Sequence, residues 1–122
     1  MSINVIIQSR MGSKRLPSKN LLKVTKNNLR LIEVVIKRIK KSRLIDNIIL
    51  ATSKKKENDE LIKIAKKNKI LTFRGKENDT LNRFYNAAKK YKTKTIVRIT
   101  SDCPLVDAKL IDDFIKIYKR KK

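Results

Sequence analysis

The chain has 122 residues, with 33 Lys and Arg against 11 Asp and Glu, no histidine and one cysteine, giving a formal charge of +22. This length suits one domain with a modest core, and the residue inventory excludes histidine-based catalytic triads, Cys/His zinc sites and disulfides within the chain. No apolar run approaches the ~18 residues of a membrane span, and the start lacks a signal-peptide stretch, so a cytoplasmic protein without a membrane partner is expected.

The first element is a strand, Val5 to Gln8, read as buried from the apolar run Asn4-Val5-Ile6-Ile7. A basic loop follows, and then a helix from Leu29 to Lys41 with Ile32, Val35, Ile36 and Ile39 on one buried face. Asn47 to Ala51 forms the second strand. After the polar turn Thr52 to Glu57, Asn58 caps a helix whose Leu61, Ile62 and Ala65 point inward. Ile70 to Phe73 is the third strand, and Asp79 caps a helix burying Leu81, Phe84 and Ala88. Thr95 to Ile99 is the fourth strand, and Asp107 caps a last helix with Leu110, Ile111, Phe114 and Tyr118 on one face.

Four strands alternating with four helices predict an α/β Rossmann-like fold, a mainly parallel sheet with helices on both faces. The strand C-termini then share one edge, where open α/β sheets bind ligands. That edge gathers the loop after the first strand, Thr52-Ser53, Arg74-Gly75 and Ser101-Asp102.

The first loop, Gln8-Ser9-Arg10-Met11-Gly12-Ser13-Lys14-Arg15-Leu16-Pro17-Ser18-Lys19-Asn20, has the character of a polyphosphate site. Gly12 allows close backbone approach to a phosphate, while Arg10, Lys14, Arg15 and Lys19 offer cations to its oxygens. It is not a Walker A loop, because Ser18 stands where the second Gly should be and Asn20 where the metal-binding hydroxyl should be. Charge by itself is equally compatible with a solvated basic loop. The wider charge pattern is also wrong for a dedicated nucleic-acid binder. The 24 lysines and 9 arginines are scattered over every predicted helix and aromatics are few.

Arg10-Met11-Gly12-Ser13-Lys14-Arg15-Leu16-Pro17-Ser18-Lys19 resembles the R-x-G-S-x-R-L-P-x-K signature of cytidylyltransferases that activate sugars and sugar acids. The likeness extends most closely to the spore coat polysaccharide biosynthesis cytidylyltransferases. Three more stretches agree in the same order: Ile48 to Ser53, then Phe73-Arg74-Gly75 with Asp79 to Tyr85, and Val97 to Leu105. The resemblance implies the nucleotide-diphospho-sugar transferase version of the fold, with CTP and a sugar or sugar-acid acceptor as substrates and Mg²⁺ as cofactor. It implies that Arg10 and Lys19 bind the triphosphate as the catalytic cations, that Gly12 and Ser13 shape the loop, and that Arg15 supports the β and γ phosphates.

It also implies that Asp102 carries the metal. By itself a carboxylate in this position is as readily a turn or helix cap. Gln8 lies where the first loop meets the nucleotide, although it could equally bond neighbouring backbone. Arg74, Gly75 and Asp79 fall on the sugar side, where Gly75 supplying a positive φ and Asp79 capping its helix are the simpler roles. Arg83 and Arg98 are each either a ligand contact or part of an internal ion pair, and Arg98 is favoured as the nucleotide contact because a charge inside an apolar strand demands a partner. Cys103 is expected to be a small buried residue.

Family members are about twice this length by the same resemblance. The expectation is therefore a single nucleotide-binding domain over residues 1–122, truncated to the N-terminal half, whose metal site and acceptor pocket are incomplete. The alternatives are a non-catalytic nucleotide-binding fragment needing a partner half, and a basic nucleic-acid-binding protein. An incomplete sheet would expose a strand edge, which favours association, a homodimer included.

Overall fold

The computed structural model describes residues 3–8, 31–76, 80–100 and 108–120. Among these residues four strands, β1 (Ile3–Gln8), β2 (Asn47–Ser53), β3 (Leu71–Gly75) and β4 (Thr95–Thr100), alternate with four helices, α1 (Leu31–Ile39), α2 (Asp59–Lys67), α3 (Thr80–Lys90) and α4 (Ala108–Arg120). All strands pair in parallel, in the order β3-β2-β1-β4. β1 is central, and its run of apolar residues is what burial on both faces requires: Val5, Ile6 and Ile7 are wholly buried.

Alternation along the strands divides the core in two. Ile3, Val5, Ile7, Ile48 and Leu50 face a cluster built with α1, α2 and α4. Ile6, Ile49 and Ala51 face a smaller cluster covered by α3, through Ala87 and Ala88 with Phe84 and Tyr91 beside them. This unequal covering follows from the strand order. The chain moves from β1 to β2 to β3 and then jumps back across β1 to β4, and a right-handed crossover in the reverse direction puts its helix on the opposite face.

The predicted face of α1 is buried as expected, with Ile32, Val35, Ile36 and Ile39 at zero exposure. Three expectations need correction. Asn58 makes no side-chain cap to α2; its amide donates instead to Ser53 Oγ (2.6 Å) across a 3₁₀ turn, Lys56–Asn58. Leu81 is not buried but lies on the outer side of α3, 79% exposed. In α4 the buried residues are Ala108, Ile111 and Ile115, whereas Leu110, Phe114 and Tyr118 face outward. An apolar stripe wider than the surface it packs on reads as core in the sequence wherever the covering layer is not known.

Lysine occupies two positions that favour glycine. Lys69 and Lys92 have φ of 59° and 51°, in the left-handed conformation that ends many helices. Each closes a Schellman motif. Ile70 N–H donates to Ala65 O and Lys69 N–H to Lys66 O after α2; Thr93 N–H donates to Ala88 O and Lys92 N–H to Lys89 O after α3. Every lysine among the described residues is exposed, in keeping with a compositional bias that fills surface positions.

Asp112 of α4 ties that helix to the turn after α1. It accepts hydrogen bonds from Arg43 N–H (3.0 Å), Leu44 N–H (3.1 Å) and the Ser42 hydroxyl. Burial pushes its pKa up, but the three hydrogen bonds and the nearby Lys116 charge outweigh burial and hold the carboxyl below the ordinary aspartate value.

Candidate nucleotide site

The C-terminal ends of the four strands lie side by side. Gln8 pairs with Ala51 on one side and Thr100 on the other, and Ser53 pairs with Gly75. β1 and β4 are neighbours although the chain winds away from β1 in one direction and returns on its other side. That reversal is a topological switch point, where adjacent loops diverge and open the crevice in which such sheets bind nucleotides.

Residues 9–30 continue from β1 and residues 101–107 from β4. The segments with Arg10, Gly12, Ser13, Arg15 and Lys19 and with Asp102 therefore attach to the two strands that flank the switch point. These residues, with Asp79 and Cys103, lie outside the described residues. Gln8, Arg74, Gly75 and Arg98 lie within them.

Gln8 is half-buried at the tip of β1, between Ala51 and Thr100. Arg74 is occupied elsewhere: Nε donates to Ser53 O (3.0 Å), Nη1 to Asp59 Oδ1 (2.7 Å) and Nη2 to Lys55 O (2.7 Å). Three of the five N–H donors of a guanidinium thus brace the β2–α2 connection. Ser53 stiffens the same turn, its hydroxyl accepting from Lys55 N–H (3.3 Å) and the Asn58 amide. Asp59 has no signal of its own in the sequence beyond being an acid in the first turn of α2, so its pairing with Arg74 was not anticipated.

Gly75 does not supply a positive φ, contrary to expectation. What it supplies is room. A Cβ at this position would lie 2.9 Å from Arg83 Cγ and 3.0 Å from Phe73 Cε2. Arg83 is itself buried and donates from Nη1 to Lys76 O (3.0 Å). Arg98 is likewise not enclosed. It is exposed on β4, with its guanidinium carbon 5.8 Å from the centre of the Phe84 ring. Its exposure follows from the place of β4, the outermost of the described strands beside β1, where a cation can reach solvent and needs only a π face for its apolar side.

Among the described residues, no group of three or more His, Cys, Asp or Glu could hold a metal ion, and no helix is long and apolar enough to cross a membrane.

The described strands form a parallel α/β sheet with its switch point between β1 and β4. The cytidylyltransferase family model matches residues 4–122, and the chain belongs to that family. It is 38% identical over 117 residues to the spore coat polysaccharide biosynthesis protein SpsF of Bacillus subtilis, covering 93% of this chain and 48% of that protein. A cytidylyltransferase structure from Leptospira borgpetersenii superposes with a TM-score of 0.90 at 38% identity, covering 96% of this chain and 48% of the other. CMP:2-keto-3-deoxy-manno-octonic acid synthetase, solved in complex with CTP, shares the fold at a TM-score of 0.83 and 16% identity, with 98% and 48% covered. The chain spans about half the length of the curated relatives it matches.

Proposed function

We propose that the chain provides the CTP-binding half of a cytidylyltransferase that transfers CMP to a sugar or sugar acid. The observation that carries this reading is the switch point between β1 and β4, from which the Arg10–Lys19 loop and the Asp102 segment both leave. Family membership and the CTP bound by a protein of the same fold support it.

In the reaction, a hydroxyl of the acceptor attacks the α-phosphorus of CTP. The new O–P bond forms as the bond to the β-phosphate oxygen breaks, pyrophosphate leaves and the hydroxyl proton passes to solvent. Such a step needs placement and charge stabilisation more than a protein nucleophile. Arg10 and Lys19 hold the triphosphate and offset the charge that builds on the departing oxygens. Arg15 supports the β and γ phosphates, and Gly12 and Ser13 shape the loop. Gln8, at the root of the loop, and Arg98, on the neighbouring strand, contribute nucleotide contacts.

Asp102 is the residue to hold Mg²⁺, a hard cation that favours carboxylate and phosphate oxygens and that, when bound, would neutralise triphosphate charge. Asp79 belongs to the sugar side. Arg74 and Gly75 serve that side as supports of its wall, given what they touch. The product would be a cytoplasmic activated sugar for surface polysaccharide assembly.

The test is isothermal titration of the chain with CTP and Mg²⁺ at moderate salt. Saturable binding of CTP, weaker binding of ATP and loss of binding in Lys19→Ala are expected. Equal, steeply salt-dependent binding of any polyanion would overturn the reading in favour of a nonspecific basic surface.

A further inference from the structure

We propose that the hollow between α4 and the C-terminal end of α1 is a second anion site, one that takes a small oligophosphate, a linear chain of linked phosphates. The proposal goes beyond the nucleotide reading and does not rest on it.

The hollow measures about 500 Å³. Five cations line it: Arg38 from α1, Lys41 and Arg43 from the turn that follows, and Lys109 and Lys116 from α4. All five are exposed to solvent. Two carboxylates share the lining, Asp112 and Asp113. Asp112 is committed to the protein, since its oxygens accept from the Ser42 hydroxyl, Arg43 N–H (3.0 Å) and Leu44 N–H (3.1 Å). Even with Asp113 set against one cation, the hollow stays positive.

The Asp112 contacts also make the arrangement a built one. They pin the turn that carries Lys41 and Arg43 against the helix that carries Lys109 and Lys116, so the two sets of cations are held beside each other by the fold. Lysines along a convex helix surface point apart, whereas a concave wall makes them converge. Convergence of like charges is unfavourable until an anion relieves it, and a concavity with low-dielectric walls focuses the field that draws the anion in. The arginine forks match phosphate oxygens in pairs, and the ammonium groups add point charges. A single phosphate would fill little of this space. A chain of phosphates can meet the α1 turn and α4 together, and the gathering of the cations in one hollow suits it better than a nucleic-acid strand, which needs an extended basic track.

This hollow is separate from the crevice at the switch point. The turn with Lys41 and Arg43 leads directly into Asn47, the first residue of β2, and so lies toward the N-terminal edge of the sheet. The crevice lies at the C-terminal edge.

The experiment titrates tripolyphosphate into the Lys19→Ala chain, in which the proposed nucleotide loop is disabled, at about 0.15 M salt. Binding is read by calorimetry and by amide correlation spectra. Saturable binding is expected, with shifts in Lys41 to Leu44 and Lys109 to Lys116. Adding Arg43→Gln and Lys116→Gln together leaves the backbone bonds to Asp112 in place and should weaken binding by about tenfold or more. Adding Lys63→Gln and Lys66→Gln, which remove the same charge from the exposed side of α2, should change it by no more than about twofold. Equal weakening by the two pairs, shifts at Gln8 and Thr100 in place of the turn and α4, or no saturable binding would each overturn the proposal. So would an oligonucleotide that binds through Arg43 and Lys116 where tripolyphosphate does not.

Discussion

Replacing Gly75 by alanine should destabilise the fold through a steric conflict with Arg83. Optimal carbon–carbon separations are about 3.5–4.0 Å, and the added Cβ would sit 2.9 Å from Arg83 Cγ, 3.2 Å from Arg83 Cβ and 3.0 Å from Phe73 Cε2. The Arg83 atoms involved are close to the α3 backbone, and the residue is only 3% exposed with Nη1 bonded to Lys76 O. It therefore cannot swing away cheaply. Overpacking of this kind costs about 1–3 kcal/mol. Because φ at Gly75 is not positive, no backbone strain adds to the cost. With a urea m-value of about 1–3 kcal/mol/M, the unfolding midpoint should fall by roughly 0.5–2 M at unchanged m.

A double-mutant cycle isolates the cause. In an Arg83→Ala background the Cγ contact disappears, so Gly75→Ala should cost less there, with a coupling of about 0.5–2 kcal/mol. A Gly75→Ala protein within about 0.3 kcal/mol of the parent, or a cost undiminished by Arg83→Ala, would refute the steric argument.

Three further outcomes follow from the contacts described. Lys69→Gly and Lys92→Gly relieve left-handed lysines at the Schellman positions and should each raise stability by about 0.5–1 kcal/mol in chemical denaturation; a loss would show that the lysine side chains outweigh the backbone strain. Arg74→Ala should lose about 1–3 kcal/mol, and Arg74→Lys should not restore it, because one ammonium cannot span Ser53 O, Asp59 and Lys55 O together. Asp112 has a depressed folded-state pKa, so its contribution is fully present above the unfolded value of about 3.9 and is lost as pH falls through the lower folded value. Asp112→Asn should therefore lower stability at pH 7 and flatten the acid limb of the stability profile; an unchanged acid limb would contradict the assignment.

The fold was legible because its signals were long and redundant. Four apolar runs alternated with 3.6-residue periodicity, and buried β1 and the Ile32-Val35-Ile36-Ile39 face of α1 lie where those patterns put them. Burial was less legible at the β4 side. Phe114, Tyr118 and Leu81 are apolar in helical register, but register fixes which residues share a face, not whether anything covers it. The exposure of Arg98 was illegible for the same reason, since edge or centre is a property of strand order rather than of one strand's composition. Gly75 was recognised as special, yet its reason lies in a long-range approach by Arg83, which no local turn rule contains. At the candidate site, the sequence located the strand ends and their gathering along one edge, whereas the switch point between β1 and β4 required the strand order. It could not reveal that Arg74 is committed to bracing the β2–α2 turn, because that requires knowing that Asp59 comes to face it.

The most direct test of the account is a ¹⁵N–¹H correlation spectrum recorded during titration with CTP and Mg²⁺. A nucleotide seated at the switch point should shift the amides of Gln8 and Thr100 saturably, leave the amides of α2 near their starting positions, and lose its effect in Lys19→Ala. Small, unsaturated shifts spread over the lysine-rich helices, with Gln8 and Thr100 unmoved, would contradict a nucleotide site between β1 and β4.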